Sequence, residues 1–242
     1  MTEDPVAVSE QFLRAIRYDD PTGRLEERLA AYDSDDLAAR LDSNGARIAF
    51  WCNLYNGATQ QLLETDRDMY ESRGKFFSLP ALTIAGETLS LDDIEHGILR
   101  RSYSKLALGY IRSPFRDAFA EKHEISERDP RVHFALNCGA ESCPPIVAYS
   151  RDDIETQLDL ATQSYLDQTV KYNPASEQVL VPVIMRWFRG DFRVTGGRTL
   201  FLRRFDQIPS DAMPDIVYDD WSWSLTPNNF AEDDDLETAA TD

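Results

Sequence analysis

The stretch ARIAFWCNLYNGATQQLLE, residues 46–64, reads as the central helix of a helix-rich core. Trp51, Tyr55, Ala58 and Leu62 recur at i, i+4, i+7 and i+11, the spacing of one helical face turned toward other apolar groups. A second stripe on the same helix, Asn53, Asn56 and Gln60, is polar. Such a stripe ordinarily means solvent. Asn is a mediocre helix former, however, and here two of them sit among Trp, Tyr, Leu and Phe. Buried hydrogen bonding is the competing expectation.

Working outward, PVAVSEQFLRAIRY and LEERLAAY are amphipathic, and SDDLAARLD opens with a Ser cap followed by acids, suited to a positive helix N-terminus. LTIAGETLSL alternates around a Gly and suggests a small hairpin. Ser90 then caps LDDIEHGILRR, with Asp93 where a capping box places its acid. Asp129-Pro130 marks a turn, and RVHFALN (131–137) reads as a strand. SRDDIETQLDLATQSYLDQTV is a long helix with a similar box at Ser150 and Asp153. EQVLVP is a strand, VIMRWFRGDF a short aromatic helix or turn, TLFLRRFDQI a helix and IVYDDWSWSL a final strand. A helix-rich N-terminal half, scattered short strands and no regular βαβ alternation give an α+β fold with a small mixed or antiparallel sheet. There is no linker-like composition and no repeat, so residues 1–230 are expected to form one domain. AEDDDLETAATD (231–242) is acidic, lacks aromatics and is expected to be disordered.

The charge balance is lopsided: 43 Asp plus Glu against 25 Lys plus Arg, a formal net charge of −18. Lysine occurs at only four positions, Lys75, Lys105, Lys122 and Lys171. A nucleic-acid surface needs clustered cations, and this chain has none. Acid enrichment with lysine depletion resembles proteins that work in concentrated salt, where screening relieves self-repulsion. The N-terminus has no apolar run of signal-peptide length and no stretch approaches a membrane span, so a cytoplasmic protein without a membrane partner is expected. Three cysteines do not make a disulfide framework.

FWCNLYNG (50–57), LSLDDIEHGILR (89–100), DPRVHFALNCGAESCPPI (129–146), IMRWFRGDF (184–192) and DWSWSL (220–225) occur together and in this order. In this the chain resembles the family catalogued as domain of unknown function 547, over about residues 9–228. That family has no settled activity, so the resemblance implies membership and not chemistry. It usually carries an aliphatic residue where Cys52 stands, which places Cys52 outside any shared chemistry, as a small buried hydrophobe.

Chemistry concentrates in HFALNCGAESCPP. One reading makes Cys143 a nucleophile, His133 its base and Asn137 the group that orients the imidazole. Asn53 or Asn56 would then line an oxyanion pocket, as in papain- and transglutaminase-type enzymes. On a strand His133 and Asn137 share a face, Cys138 points away, and Gly139 lets the chain bring Cys143 back. Against this, the His precedes the Cys, and Cys143-Pro144 disfavours the helical backbone on which those enzymes seat their nucleophile. A zinc reading would use Cys138, Cys143, His133 and His96, but a four-residue gap with no second close pair is a weak signature. A Cys138–Cys143 disulfide and a purely structural turn are the other readings. Glu95-His96, flanked by Asp92 and Arg100, forms a second cluster, and Trp187, Phe188, Asp191 and Trp223 make a wall or a packing group.

The expected catalytic set is Cys143, His133 and Asn137; the expected binding set is Asn53, Asn56, Glu95, His96, Ser142, Trp187 and Asp191. No metal or cofactor is assigned, and no phosphate-binding glycine loop is present. The function class is cysteine-dependent acyl transfer or amide hydrolysis on a small-molecule or peptide ligand, or a non-catalytic binding module. Oligomeric state has no signature in the sequence.

Overall fold

The computed structural model describes residues 3–232; the expected tail lies outside the described residues from position 233 onward. Four helices open the chain: α1 (Pro5–Arg17), α2 (Gly23–Ala30), α3 (Ser34–Arg40) and α4 (Asn44–Thr65). Asp4 caps α1 by accepting from the Val6 amide, and Pro5 occupies the first turn, where no backbone donor is needed. The cap of α3 is Asp33, one residue before the expected Ser34, because its carboxylate accepts from both the Asp35 and Asp36 amides. Ser43 caps α4.

Helix α4 is the axis of the larger core. Trp51, Tyr55, Ala58 and Leu62 are buried, as the stripe predicts, but so are Phe50, Cys52, Leu54 and Asn56 on the other faces. A helix apolar nearly all round is a helix surrounded by protein. Helix α1 lies along it, pressing Phe12 and Ile16 against the bare Cα of Gly57.

The middle of the chain is short elements. α5 (Arg73–Phe76) leads to the antiparallel hairpin β1 (Leu82–Ile84) and β2 (Glu87–Leu89). Ser90 and Asp93 exchange hydrogen bonds, completing the expected box: the Ser90 amide donates to Asp93 Oδ2 at 2.9 Å and the Asp93 amide to Ser90 Oγ at 3.2 Å. The helix they start, Asp93–Leu99, is wound as a π-helix, with the Arg100 amide donating to the Glu95 carbonyl at 2.8 Å. α6 (Ala118–His123) follows.

The second half supplies α7 (Ile154–Thr169), β3 (Lys171–Asn173), β4 (Gln178–Pro182), α8 (Ile184–Trp187), α9 (Arg198–Arg204) and β5 (Asp215–Asp219). β4 is central, antiparallel to β3 and parallel to β5, so the sheet is mixed and the class is α+β. A second, smaller core of Phe134, Leu166, Val179, Val181, Phe192 and Phe201 fills the space between this sheet and its helices.

Residues 131–137 are not a strand. Pro130–Phe134 is a 3₁₀ turn, started by Asp129 accepting from the Arg131 amide with Pro130 in its first position. Asp-Pro is a helix-start signal, and it overrides the apolar alternation. The alternation has another cause: Val132 and Leu136 belong to the larger core and Phe134 to the smaller, so the segment is the seam between them. The expected last strand is likewise shorter. Only Asp215–Asp219 pairs with β4, and residues 220–225 leave the sheet to run against the cysteine loop.

Candidate functional site

The polar stripe on α4 is buried, and its amides hold distant backbone. Asn53 bonds Tyr149 in both directions, Nδ2 to the carbonyl and Oδ1 from the amide, each at 2.8 Å. Asn56 Nδ2 donates to the Ala135 carbonyl at 2.9 Å, and its Oδ1 accepts from the Asn137 amide at 2.8 Å. Gln60 Oε1 accepts from the Asn228 amide at 2.7 Å. Asn53 and Asn56 therefore brace the site and do not line it, which corrects their placement among binding residues. Asn137 is corrected too. It orients no imidazole: its Oδ1 accepts from the Gly139 amide and its Nδ2 donates to the Pro144 carbonyl, both at 2.8 Å, so it ties the cysteine loop to itself.

That loop is fixed from several sides. Gly139 has φ of +85°, and a Cβ there would lie 2.6 Å from Leu63 Cδ1. The Glu141 amide donates to the Ser224 carbonyl, and Ser142 is held by the Ser222 amide on its Oγ and by the Tyr165 hydroxyl on its carbonyl, each at 2.8 Å. Ser142 is thus part of the loop's fastening. The Cys143 amide closes the turn on the Ala140 carbonyl at 3.0 Å.

The two sulfurs of this loop meet. Cys138 Sγ and Cys143 Sγ are 2.9 Å apart, and the Cys138 amide donates to Cys143 Sγ at 3.1 Å. They are free thiols. Cys138 does not point away, as strand geometry suggested, because the segment before it is helical. Burial pushes the Cys143 thiol up, but bonds from the Cys138 thiol and from the Cys138 and Ala140 amides outweigh it, leaving Cys143 below the ordinary thiol value. Cys138, whose proton is held by Cys143 and which is itself desolvated, sits well above it. Of the pair, Cys143 is the more acidic sulfur. Burial first, with the Asp129 carboxylate adding, pushes the Cys52 thiol far up, which fits a small buried hydrophobe.

His133 is held elsewhere than expected. Its Nε2 pairs with Asp191 Oδ2 at 3.0 Å, and its ring lies parallel to Phe188 at 4.3 Å between centroids. Among the described residues no hydrogen bond joins it to Cys143. Asp191 also takes Arg100 Nε on Oδ2 at 2.7 Å and Arg128 Nη1 on Oδ1 at 2.9 Å. Burial raises this carboxyl, but His133 and Arg100 prevail and hold it at about 2. The Gly in FRGDF has a steric reason: a Cβ on Gly190 would lie 2.4 Å from the Gly109 carbonyl carbon. Asp191, expected as part of a wall, is the ionic hub behind His133.

The second cluster faces the same space. Tyr55 donates its hydroxyl to Glu95 Oε2 at 3.2 Å. Burial pushes Glu95 up, but His96, Arg100, His133 and that hydroxyl hold it below the usual carboxylate range. Arg100 Nη1 lies 3.0 Å from His96 Nδ1. A guanidinium has no acceptor, so Nδ1 accepts and the ring carries its proton on Nε2, toward Asp92 Oδ1 at 3.4 Å. Burial first, with Arg100 adding, lowers the His96 value despite Glu95 and Asp92.

Cys138, Cys143, His133, Glu95, His96 and Tyr55 all open on one cleft of about 330 Å³. Its outer wall is Trp187, Trp221 and Trp223, with ring centroids 5.5–6.1 Å apart. Among the described residues no group of three or more His, Cys, Asp or Glu side chains is arranged to hold a metal ion, and no helix is long and apolar enough to cross a membrane.

A family model described as "Protein of unknown function, DUF547" matches residues 31–166. The match spans α4, the Glu95-His96 helix and the cysteine loop; Asp191 and the three tryptophans lie beyond it. No curated protein and no solved structure matches the chain.

Proposed function

The chain belongs to the DUF547 family, and from that premise we propose that it is a cysteine-dependent acyl-transfer enzyme or hydrolase with Cys143 as nucleophile. The observation that carries the reading is the opening of Cys143, with its thiol held below the ordinary value, and a carboxylate-held His133 on one aromatic cleft. The division of roles is that of a Cys-His-Asp set. Because Nε2 of His133 is committed to Asp191, Nδ1 is the nitrogen that serves the cleft.

In the proposed cycle the thiolate attacks the carbonyl carbon of an amide, ester or thioester. A carbon–sulfur bond forms, and the leaving group departs with a proton from His133, whose positive charge Asp191 balances until then. Water gives a proton back to His133 and attacks the thioester, releasing the acid and restoring the thiolate. The tryptophan wall takes the apolar part of the substrate, and Glu95, ionised and held by Tyr55, favours a cationic or hydrogen-bond-donating group.

The test uses p-nitrophenyl acetate as an acyl donor. The expected result is a burst of one nitrophenolate per chain with an acetyl group on Cys143, found by peptide mass spectrometry. Cys143→Ala abolishes the burst, and His133→Ala slows turnover by roughly 10²–10⁴-fold, the usual contribution of a general acid–base. A native chain that carries no adduct on Cys143, or a burst that survives Cys143→Ala, overturns the proposal in favour of a binding module.

A further inference from the structure

Acyl transfer needs one sulfur, and this cleft presents two. Cys138 is partly exposed and faces the same opening as Cys143. The sulfurs are 2.9 Å apart already. A disulfide requires about 2.05 Å, so closing the bond asks for under about 1 Å of approach between the two sulfurs. The third cysteine, Cys52, is fully buried in α4 and lies outside the cleft.

We propose that Cys138 and Cys143 are a peroxide-reactive dithiol, with Cys143 the sulfur that is oxidised and Cys138 the sulfur that resolves it. The thiolate of Cys143 attacks one oxygen of a hydroperoxide, the O–O bond breaks, and the alkoxide or hydroxide leaves with a proton from solvent, giving a sulfenic acid. The Cys138 sulfur then attacks the Cys143 sulfur, losing its own proton. Hydroxide departs as water and the disulfide forms. In sum the dithiol loses two electrons and two protons, and the hydroperoxide becomes an alcohol, or water, plus one further water. A dithiol reductant reverses the change by exchange. The asymmetry of the resting pair fits the order of events, since the attacking sulfur must be the ionised one and the resolving sulfur must keep its proton until the second step. For the acyl chemistry proposed above, the disulfide is an off state that spares Cys143 from irreversible oxidation.

The experiment needs no acyl substrate. The native chain is treated with a small excess of hydrogen peroxide, then thiols are counted after denaturation and the linkage is mapped without reductant. Titratable thiols are expected to fall from three to one, with a peptide linking Cys138 to Cys143 and full recovery after dithiothreitol. In Cys138→Ser, where a hydroxyl still donates toward Cys143 but cannot form a disulfide, the Cys143 sulfenic acid has no partner, so a dimedone adduct and then sulfinic acid accumulate on Cys143. Three thiols remaining in the native chain, or a disulfide that includes Cys52, overturns the inference. So does a Cys138→Ser chain, shown folded by circular dichroism, whose Cys143 gains no adduct. If the disulfide forms but no acetyl group is ever found on Cys143, only the acyl-transfer reading fails; the converse pair of results removes only this one.

Discussion

Replacing Asn56 with leucine, a residue of nearly the same shape, separates what the α4 amides do for stability from what they do for the site. The change deletes the bond to the Ala135 carbonyl at 2.9 Å and the bond from the Asn137 amide at 2.8 Å. Both backbone groups are buried and would be left without a partner. Each orphaned group costs about 1–3 kcal/mol, so the loss is about 2–6 kcal/mol. For a chain of this size, at about 2–4 °C per kcal/mol, that is a fall in Tm of about 4–24 °C. Asn53→Leu is the control, because it orphans both backbone groups of Tyr149, away from the cysteines. Scanning calorimetry should find the two variants destabilised alike. The pH dependence of Cys143 alkylation by iodoacetamide, read by peptide mass spectrometry well below either Tm, should not. Asn56 sets Asn137, and Asn137 sets the turn that aims the Cys138 amide at Cys143 Sγ. The midpoint for Cys143 should therefore rise toward the ordinary thiol value in Asn56→Leu and stay put in Asn53→Leu. An unchanged Tm for Asn56→Leu, or equal midpoints in both variants, would refute the reasoning.

Trp51 is wholly buried at the centre of the larger core, so Trp51→Ala should lower stability by about 3–5 kcal/mol in urea unfolding, and a neutral result would place the helix face wrongly. Asp191 is held at about 2, below its ordinary 3.8. A depressed carboxyl contributes stability above its unfolded value and loses it as pH falls through the folded one, so about 2 kcal/mol should disappear between pH 4 and pH 2. Asp191→Asn should flatten that slope, and an unaltered acid-unfolding curve would contradict the assignment of Asp191 as the hub. With 43 acidic and 25 basic side chains, the protein should melt at lower temperature in dilute buffer than in molar salt; a Tm independent of salt would remove the high-salt reading of its composition.

The helices were legible because periodicity and caps are local. The Trp51–Leu62 stripe, the Ser90–Asp93 box and the 82–89 hairpin all stand where their residues place them. What failed was reasoning from one local pattern when a second was present. Apolar alternation at 131–137 suggested a strand, and from the strand came the idea that Cys138 turns away and Asn137 meets His133. Asp129-Pro130 was the stronger signal, and the 3₁₀ turn it starts reverses both conclusions. The His133–Asp191 pair spans 58 positions, and no spacing rule reaches so far. The trace it did leave is a lone acid between Gly190 and Phe192 in an aromatic run, where an ionised group needs a partner.

The amides of the polar stripe on α4, Asn53, Asn56 and Gln60, also impose an order on the life of the molecule. Asn53 reaches 96 positions along the chain, Asn56 reaches 81 and Gln60 reaches 168. Ser222 and Ser224, which fasten the cysteine loop, come some eighty positions after it. Contacts so remote are slow to form. On the ribosome the cysteine loop emerges long before its strap does, and until the strap arrives the turn is held only by Asn56 and by the loop's own Asn137. The Cys138–Cys143 pair is thus fully fastened only when the last of these segments docks. Rapid alkylation of Cys143 at neutral pH would serve as a reporter of completed folding, readable in a crude refolding mixture without any knowledge of the substrate.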